Sequence, residues 1–321
     1  MNLLDIQPNV VSTDLQEKHF LFYGAPGTRK TSVSALFPDA IFAATEIGYK
    51  LIPGVRAVNI DSWATFRTFV RELKKKEVKE TFKTVVIDTT SKLTAMCEEY
   101  ICNTNSVSSI RDIAWGQGWK MYQKEFASQI NLIAQLGYSI VFIDHAKIKT
   151  LEDGTISHAA TLMDNQCYPT INQLVDFTLY LQKEPKDGSN DPADVTVYAY
   201  SKLPSNMESK TRARHLAQRF EFNFENLTEE VKKAVLQIET VDHIPVTETY
   251  QNRYEQERES FESLKQRCID MATKLAQNEA LVPVVQEKLN NALGGIRLSE
   301  ATPDKYDALL ALSTILVEIG E

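Results

Sequence analysis

The residues with the clearest chemical meaning are Gly24-Ala25-Pro26-Gly27-Thr28-Arg29-Lys30-Thr31, followed by Ser32. A strand-like run, His19 to Tyr23, precedes them, and a helix-like run, Lys30 to Phe37, follows. A glycine-rich turn in that context points backbone N–H groups inward. A lysine and a hydroxyl residue then complete a phosphate loop. Lys30 is expected to reach the β- and γ-phosphates of ATP, and Thr31 to place its hydroxyl on Mg2+. One position departs from G-x-x-x-x-G-K-[ST]: Arg29 stands where the second glycine belongs. A left-handed backbone there costs a non-glycine residue about 1–2 kcal/mol. Its guanidinium either lowers nucleotide affinity or adds a phosphate contact. The competing reading is a glycine-rich turn without a ligand.

A phosphate loop needs a carboxylate behind its Mg2+. Thr84-Val85-Val86-Ile87-Asp88 is an apolar strand ending in Asp88, and Ile143-Asp144 is a rival ending. Asp88 is preferred because the small hydroxyl residues Thr89 and Thr90 follow it. Hydrolysis also needs a carboxylate base. Residue 89, directly after Asp88, is Thr, so that place is empty. The end of another strand, Phe42-Ala43-Ala44-Thr45-Glu46, supplies Glu46 instead. The alternative for Glu46 is a solvated strand end. His145, after the strand Ser139 to Ile143, is placed to sense the γ-phosphate; otherwise it is structural. Ligands of open α/β sheets gather at these carboxyl ends.

The elements that must hold these residues alternate. Strand-like runs at 40–45, 55–60, 84–87 and 139–143 are separated by helical runs at 62–76, 91–101 and 118–136. That alternation predicts a mostly parallel α/β sheet covered on both faces. The stretch between Lys30 and Asp88 leaves room for a strand inserted between the two phosphate-binding strands. Two later runs, 176–182 and 195–200, predict an antiparallel hairpin at the sheet edge. Beyond about residue 240 strand signals vanish. Phe261, Leu264, Cys268, Met271 and Leu275 mark one helix face; Leu281, Val285, Leu289 and Leu293 mark a second, stopped at Gly294-Gly295. Thr302-Pro303 starts a third helix, running to about Ile319. The expected division is therefore 1–239, the ATP-binding domain, and 240–321, a helical C-terminal domain, with a linker over 239–249.

Composition narrows the class. With 321 residues, 43% hydrophobic and 24% charged, the chain is neither disordered nor fibrous. No apolar run reaches the roughly 18 residues of a membrane span. No signal peptide is evident, and Cys97, Cys102, Cys167 and Cys268 form no C-x-x-C pair, so a cytoplasmic setting is expected. The net charge of −8 does not advertise nucleic-acid binding, though local basic loops can still supply it.

Taken in order, Gly24–Thr31, Thr45-Glu46, Val86-Ile87-Asp88 and Ile143-Asp144-His145 resemble RecA-like ATPases. The resemblance is to short phage-encoded AAA-domain ATP-binding proteins, some of them single-strand annealing recombinases, and covers about residues 15–225. It implies a RecA-like P-loop fold and ATP with Mg2+ as ligands. It also implies a homo-oligomeric ring or filament in the cytoplasm of a bacterial host. His145 stands where RecA carries a polar sensor. The stretch from Lys202 to Arg219 is where such subunits supply basic residues to a neighbour. Lys202, Lys210, Arg212 and Arg214 are the candidates, with a solvated loop as the alternative.

RecA-like proteins grip single-stranded DNA with two loops, which correspond here to about 103–118 and 147–168. Arg111, Trp115, Trp119 and Lys120 in or beside the first, and Lys147 and Lys149 in the second, suit phosphate contact and base stacking. The same aromatics could instead begin an amphipathic helix packed on the sheet. The expected function is ATP hydrolysis in phage DNA recombination or replication. One alternative is a nucleotide-dependent scaffold with little hydrolysis, binding a helicase or single-strand-binding protein. Another is a small-molecule kinase, disfavoured because no arginine-rich lid follows the loop.

Overall fold

A computed structural model of the protein describes residues 8–16, 18–150, 154, 156–189, 191, 193–202, 209–249 and 259–320; the side chain of Lys149 also lies outside that set. In chain order the elements are β1 (Val11–Ser12), β2 (Phe20–Gly24), α1 (Lys30–Ser34), β3 (Ala40–Ala44), β4 (Arg56–Asn59), α2 (Trp63–Glu72), α3 (Lys76–Thr81), β5 (Thr84–Asp88), α4 (Thr90–Thr104), α5 (Gln117–Gln135), β6 (Ser139–Thr150), β7 (Ile156–Ala160), α6 (Tyr168–Leu174), β8 (Phe177–Pro185), β9 (Val195–Tyr200), β10 (Lys210–Thr211), β11 (Arg219–Glu221), α7 (Phe224–Asp242) and β12 (Val246–Thr247). Three further helices follow: α8 (Phe261–Leu275), α9 (Val282–Leu293) and α10 (Tyr306–Gly320).

The main sheet runs β11-β9-β8-β2-β6-β5-β3-β4, with β10 beside β8 and β7 beside β6. From β8 to β4 every neighbouring pair on that path is parallel. Strands β2 and β5 are buried along their whole length, as a sheet covered on both faces requires. Alternate residues feed two cores. Leu21, Tyr23, Val85 and Ile87 pack with Trp63, Leu93, Phe126 and Ile130 on one face. Phe20, Phe22, Val86 and Ile143 pack with Val33, Phe37, Leu227 and Val231 on the other. The expected mostly parallel α/β architecture is the one the strand order gives. The expected hairpin is β8–β9, antiparallel.

Four details differ. The strand inserted between β2 and β5 is β6, which follows both in sequence; β3 and β4 lie beyond β5. The helix expected over 30–37 ends at Ser34 and tightens into a turn, Phe37 N–H donating to Ser34 O at 3.3 Å. The helix expected over 62–76 breaks after Glu72 and restarts at Lys76. The domain boundary expected at 239/240 falls inside α7. The contacts instead divide the chain into 1–252 and 253–321. The reason is β12, a two-residue strand in the supposed linker, which pairs in parallel with β1 through Val11–Val246 and Ser12–Thr247.

The C-terminal unit is helical, as expected. Leu264 and Cys268 of α8, Val285 and Leu293 of α9, and Leu309, Leu312 and Leu316 of α10 form its core. Ser260 caps α8, accepting from Ser263 N–H at 3.1 Å, and Gly294 ends α9 in a left-handed conformation.

Candidate nucleotide site

β2 delivers the chain into the turn at residues 24–29. Gly24 packs so tightly on β8 that a Cβ there would lie 2.4 Å from the Leu181 carbonyl oxygen. Arg29 adopts φ 61°, ψ 14°, the left-handed conformation its place in the motif demands of a glycine. Thr28 is buried and donates to Ala25 O at 2.8 Å. Ala25, Pro26, Arg29 and Ser32 face solvent. Lys30, 7% exposed as a residue, folds its ammonium into the turn. It donates to Gly24 O at 2.8 Å, Ala25 O at 3.0 Å and Thr28 Oγ1 at 3.2 Å. Burial lowers the Lys30 pKa to about 8, against the raising effect of Asp88, Asp144 and Glu46.

Thr31 Oγ1 donates to Asp88 Oδ2 at 2.7 Å. Burial pushes the Asp88 carboxyl above the usual aspartate value, opposed by that hydrogen bond. The rival Asp144 is fully buried and accepts Leu162 N–H at 2.6 Å; it is Asp88 that meets Thr31.

Glu46 sits on a clip between two strand ends. Thr45 N–H donates to Asp88 O at 2.7 Å, and Thr89 N–H donates to Thr45 Oγ1 at 2.8 Å. The clip brings Thr89 Oγ1 to 3.0 Å from Glu46 Oε1, while Lys92 Nζ lies 3.1 Å and His145 Nε2 3.8 Å from the same oxygen. Burial would raise the Glu46 carboxyl, but the hydrogen bonds from Lys92 and Thr89 outweigh it and hold it below the usual glutamate value. Lys92 carries no signal as a motif residue. It is, however, a cation in the first turn of α4, where a negative side chain is favoured, and no acid stands there.

The basic candidates near residue 210 are largely tied to their own chain. Lys210 donates to Asn172 O. Arg212 pairs with Asp176 at 2.9 Å and donates to Gln173 O and Leu174 O. Lys202 donates to Arg214 O at 3.0 Å. Arg214 reaches Asp242 only at 3.6 Å and keeps a 78% exposed side chain. Residues 203–208 lie outside the described set.

The first DNA candidate loop is ordered as two 3-10 turns, Ile110–Asp112 and Ala114–Gly116, leading into α5. Arg111 and Lys120 are exposed, and Trp115 is 94% exposed with φ 60°. Trp119 does not join them: it packs edge-on to Tyr122, 6.3 Å between centroids, at the rim of the core. The second expected loop is instead a hairpin, because β6 continues to Thr150 and pairs with β7. Lys147 pairs there with Asp164, and Lys149 lies in β6 with its side chain outside the described set.

Among the described residues no helix is long and apolar enough to cross a membrane, and no cluster of three metal-ligating side chains occurs. The chain is 26% identical over 314 residues to the SPbeta prophage-derived uncharacterized protein YorG of Bacillus subtilis (strain 168), covering 94% of this chain and 93% of that protein. A KaiC-like protein from Pyrococcus horikoshii OT3 superposes with a TM-score of 0.35 at 13% identity, over 65% of this chain and 86% of that one. The family model described as an AAA domain matches residues 16–213. That match spans more than half of the sequence, and the chain belongs to the AAA-domain family.

Proposed function

We propose that the protein binds ATP with Mg2+ and hydrolyses it, acting on single-stranded DNA in phage recombination or replication. The observation that carries the nucleotide reading is the 2.7 Å hydrogen bond from Thr31 to Asp88 directly behind the turn that encloses Lys30. Hydroxyl and carboxylate oxygens are the hard donors Mg2+ takes, so the two residues suit the ion. Lys30 is satisfied by loop carbonyls and Thr28 Oγ1, acceptors that phosphate oxygens can replace.

Bound Mg2+ supplies neutralisation of phosphate charge. Lys30 takes up charge that develops on the transferred phosphoryl group. Glu46 orients water and accepts its proton, and Thr89 fixes the carboxylate. His145, facing Glu46, senses the terminal phosphate. A neighbouring subunit in a ring or filament completes the site with a cation. Arg214 serves best, since Lys210 and Arg212 hold β10 and α6 together. Arg111, Trp115 and Lys120 form the exposed basic and aromatic edge offered to DNA. The prophage-derived relative supports the phage setting.

Two observations favour a second reading, a scaffold that holds nucleotide with little turnover and binds a helicase or single-strand-binding protein: Arg29 in a left-handed conformation and Glu46 engaged by Lys92. ATP turnover with and without single-stranded DNA, with particle mass measured alongside, separates them. The ATPase reading expects turnover that DNA raises several-fold in an oligomer. Bound ATP with no turnover under either condition would favour the scaffold.

A further inference from the structure

A cation outside the phosphate-loop motif reaches the turn from β8. Strand β8 lies beside β2 in parallel register, Gly24 opposite Leu181, so Lys183 stands two residues past the end of β2 on the Leu181 face. Its ammonium leans over the turn: a Cβ on Gly27 would lie 2.8 Å from Lys183 Nζ and 3.5 Å from its Cε. Gly27, at φ 78°, is thus the residue that lets the lysine approach.

Among the described residues no acid is paired with the charge of Lys183. The nearest acids along the hairpin are committed elsewhere. Glu184 pairs with Arg219 at 2.9 Å and accepts from Tyr200, and Asp187 pairs with Arg219 at 2.6 Å. The acids acting on Lys30 all arrive from the other flank of β2, on β5, on β6 and after β3. Within the described residues the β8 flank therefore presents an unpaired ammonium to a turn that already encloses Lys30 and carries Arg29. A polyphosphate seated on the turn would give Lys183, Arg29 and Lys30 one shared anionic partner.

We infer that Lys183 is a second phosphate-binding cation of the site, supplied by the same subunit from β8 and contacting the polyphosphate of the nucleotide. This rests on the nucleotide reading above. It adds a contact that the motif does not contain, made by the same chain rather than by a neighbour.

Calorimetry on the full chain with Mg2+ tests it, using ATP and inorganic tripolyphosphate as probes. The variants are Lys183→Ala and Lys183→Arg, with Lys186→Ala as the surface-lysine control. A hydrogen bond between charged groups predicts a loss of roughly 10- to 100-fold for Lys183→Ala. The loss should be equal for ATP and tripolyphosphate, recovered to within about threefold by Lys183→Arg, and absent in Lys186→Ala. Wild-type affinity in Lys183→Ala would overturn the inference while leaving the nucleotide reading intact. A loss confined to ATP would overturn it too, since the contact would not be to phosphate. A wild-type chain that binds neither probe would instead remove the nucleotide reading on which the inference stands.

Discussion

Glu46 Oε1 lies 3.1 Å from the ammonium of Lys92 and 3.0 Å from the hydroxyl of Thr89. The carboxylate proposed to activate water is therefore held ionised by a cation from α4. Two substitutions separate holding from chemistry. Glu46→Gln should keep ATP binding and lower turnover at least roughly 10²-fold. Lys92→Met removes one of the groups that depress the Glu46 carboxyl. It should move the acid limb of the kcat profile to higher pH, because the base is then protonated sooner. An acid limb that stays in place would show that Glu46 is not the titrating group.

Arg29 occupies a left-handed backbone that a glycine would take without cost. Arg29→Gly is expected to raise stability by about 1 kcal/mol, visible as a higher urea midpoint. Nucleotide affinity should rise or hold. A clear fall in ATP affinity would show that the guanidinium itself touches phosphate.

His19 gives the fold an acid limit. Its Nδ1 accepts the Ile140 N–H at 3.1 Å, which needs the neutral ring, and burial lowers its pKa to about 4. The unfolded chain, with a histidine pKa of about 6.5, binds the proton that the folded chain refuses. Stability should therefore fall as pH drops from about 6.5 to about 4, by up to about 3 kcal/mol from this residue. Urea midpoints at pH 7 and pH 5 check it. His19→Gln, weaker at pH 7, should lose part of that slope; an unchanged slope would assign the acid limit to other groups.

The chain division also makes a prediction. A chain ending at Asn252 keeps β12 on β1, including Thr13 N–H to Thr247 O at 2.9 Å. A chain ending at Glu239 loses that strand and the last turn of α7. The first is expected to fold and bind ATP, and the second to be less stable by about 1–3 kcal/mol, seen as a lower melting temperature. Equal melting temperatures would mean that β12 contributes nothing.

Much of the site was legible because its parts are local. Gly24–Thr31 is one contiguous turn, and Asp88 and Glu46 each end an apolar run, so strand alternation alone puts them at the carboxyl ends of the strands. What stayed hidden depends on pairing between distant segments. Lys183 reaches Gly27 only because β8 pairs with β2, and Lys92 reaches Glu46 only because β3 pairs with β5. The stretch before Asp88 offers strands for the inserted place, but sheet order is not chain order, and β6 fills it. β12 is illegible in the sequence because two residues carry no periodicity. Lys147 and Trp119 looked available for DNA as residue types, yet an ion pair with Asp164 and packing on Tyr122 engage them.

The turn at Gly24–Thr31 is proposed to bind the phosphates of ATP through Lys30. Calorimetric titration of the full chain with ATP and Mg2+, wild type beside Lys30→Ala, tests it most directly. One ATP should bind per wild-type chain and none detectably to the variant, with both chains showing the same fold by circular dichroism. Equal affinity in the two chains would contradict it.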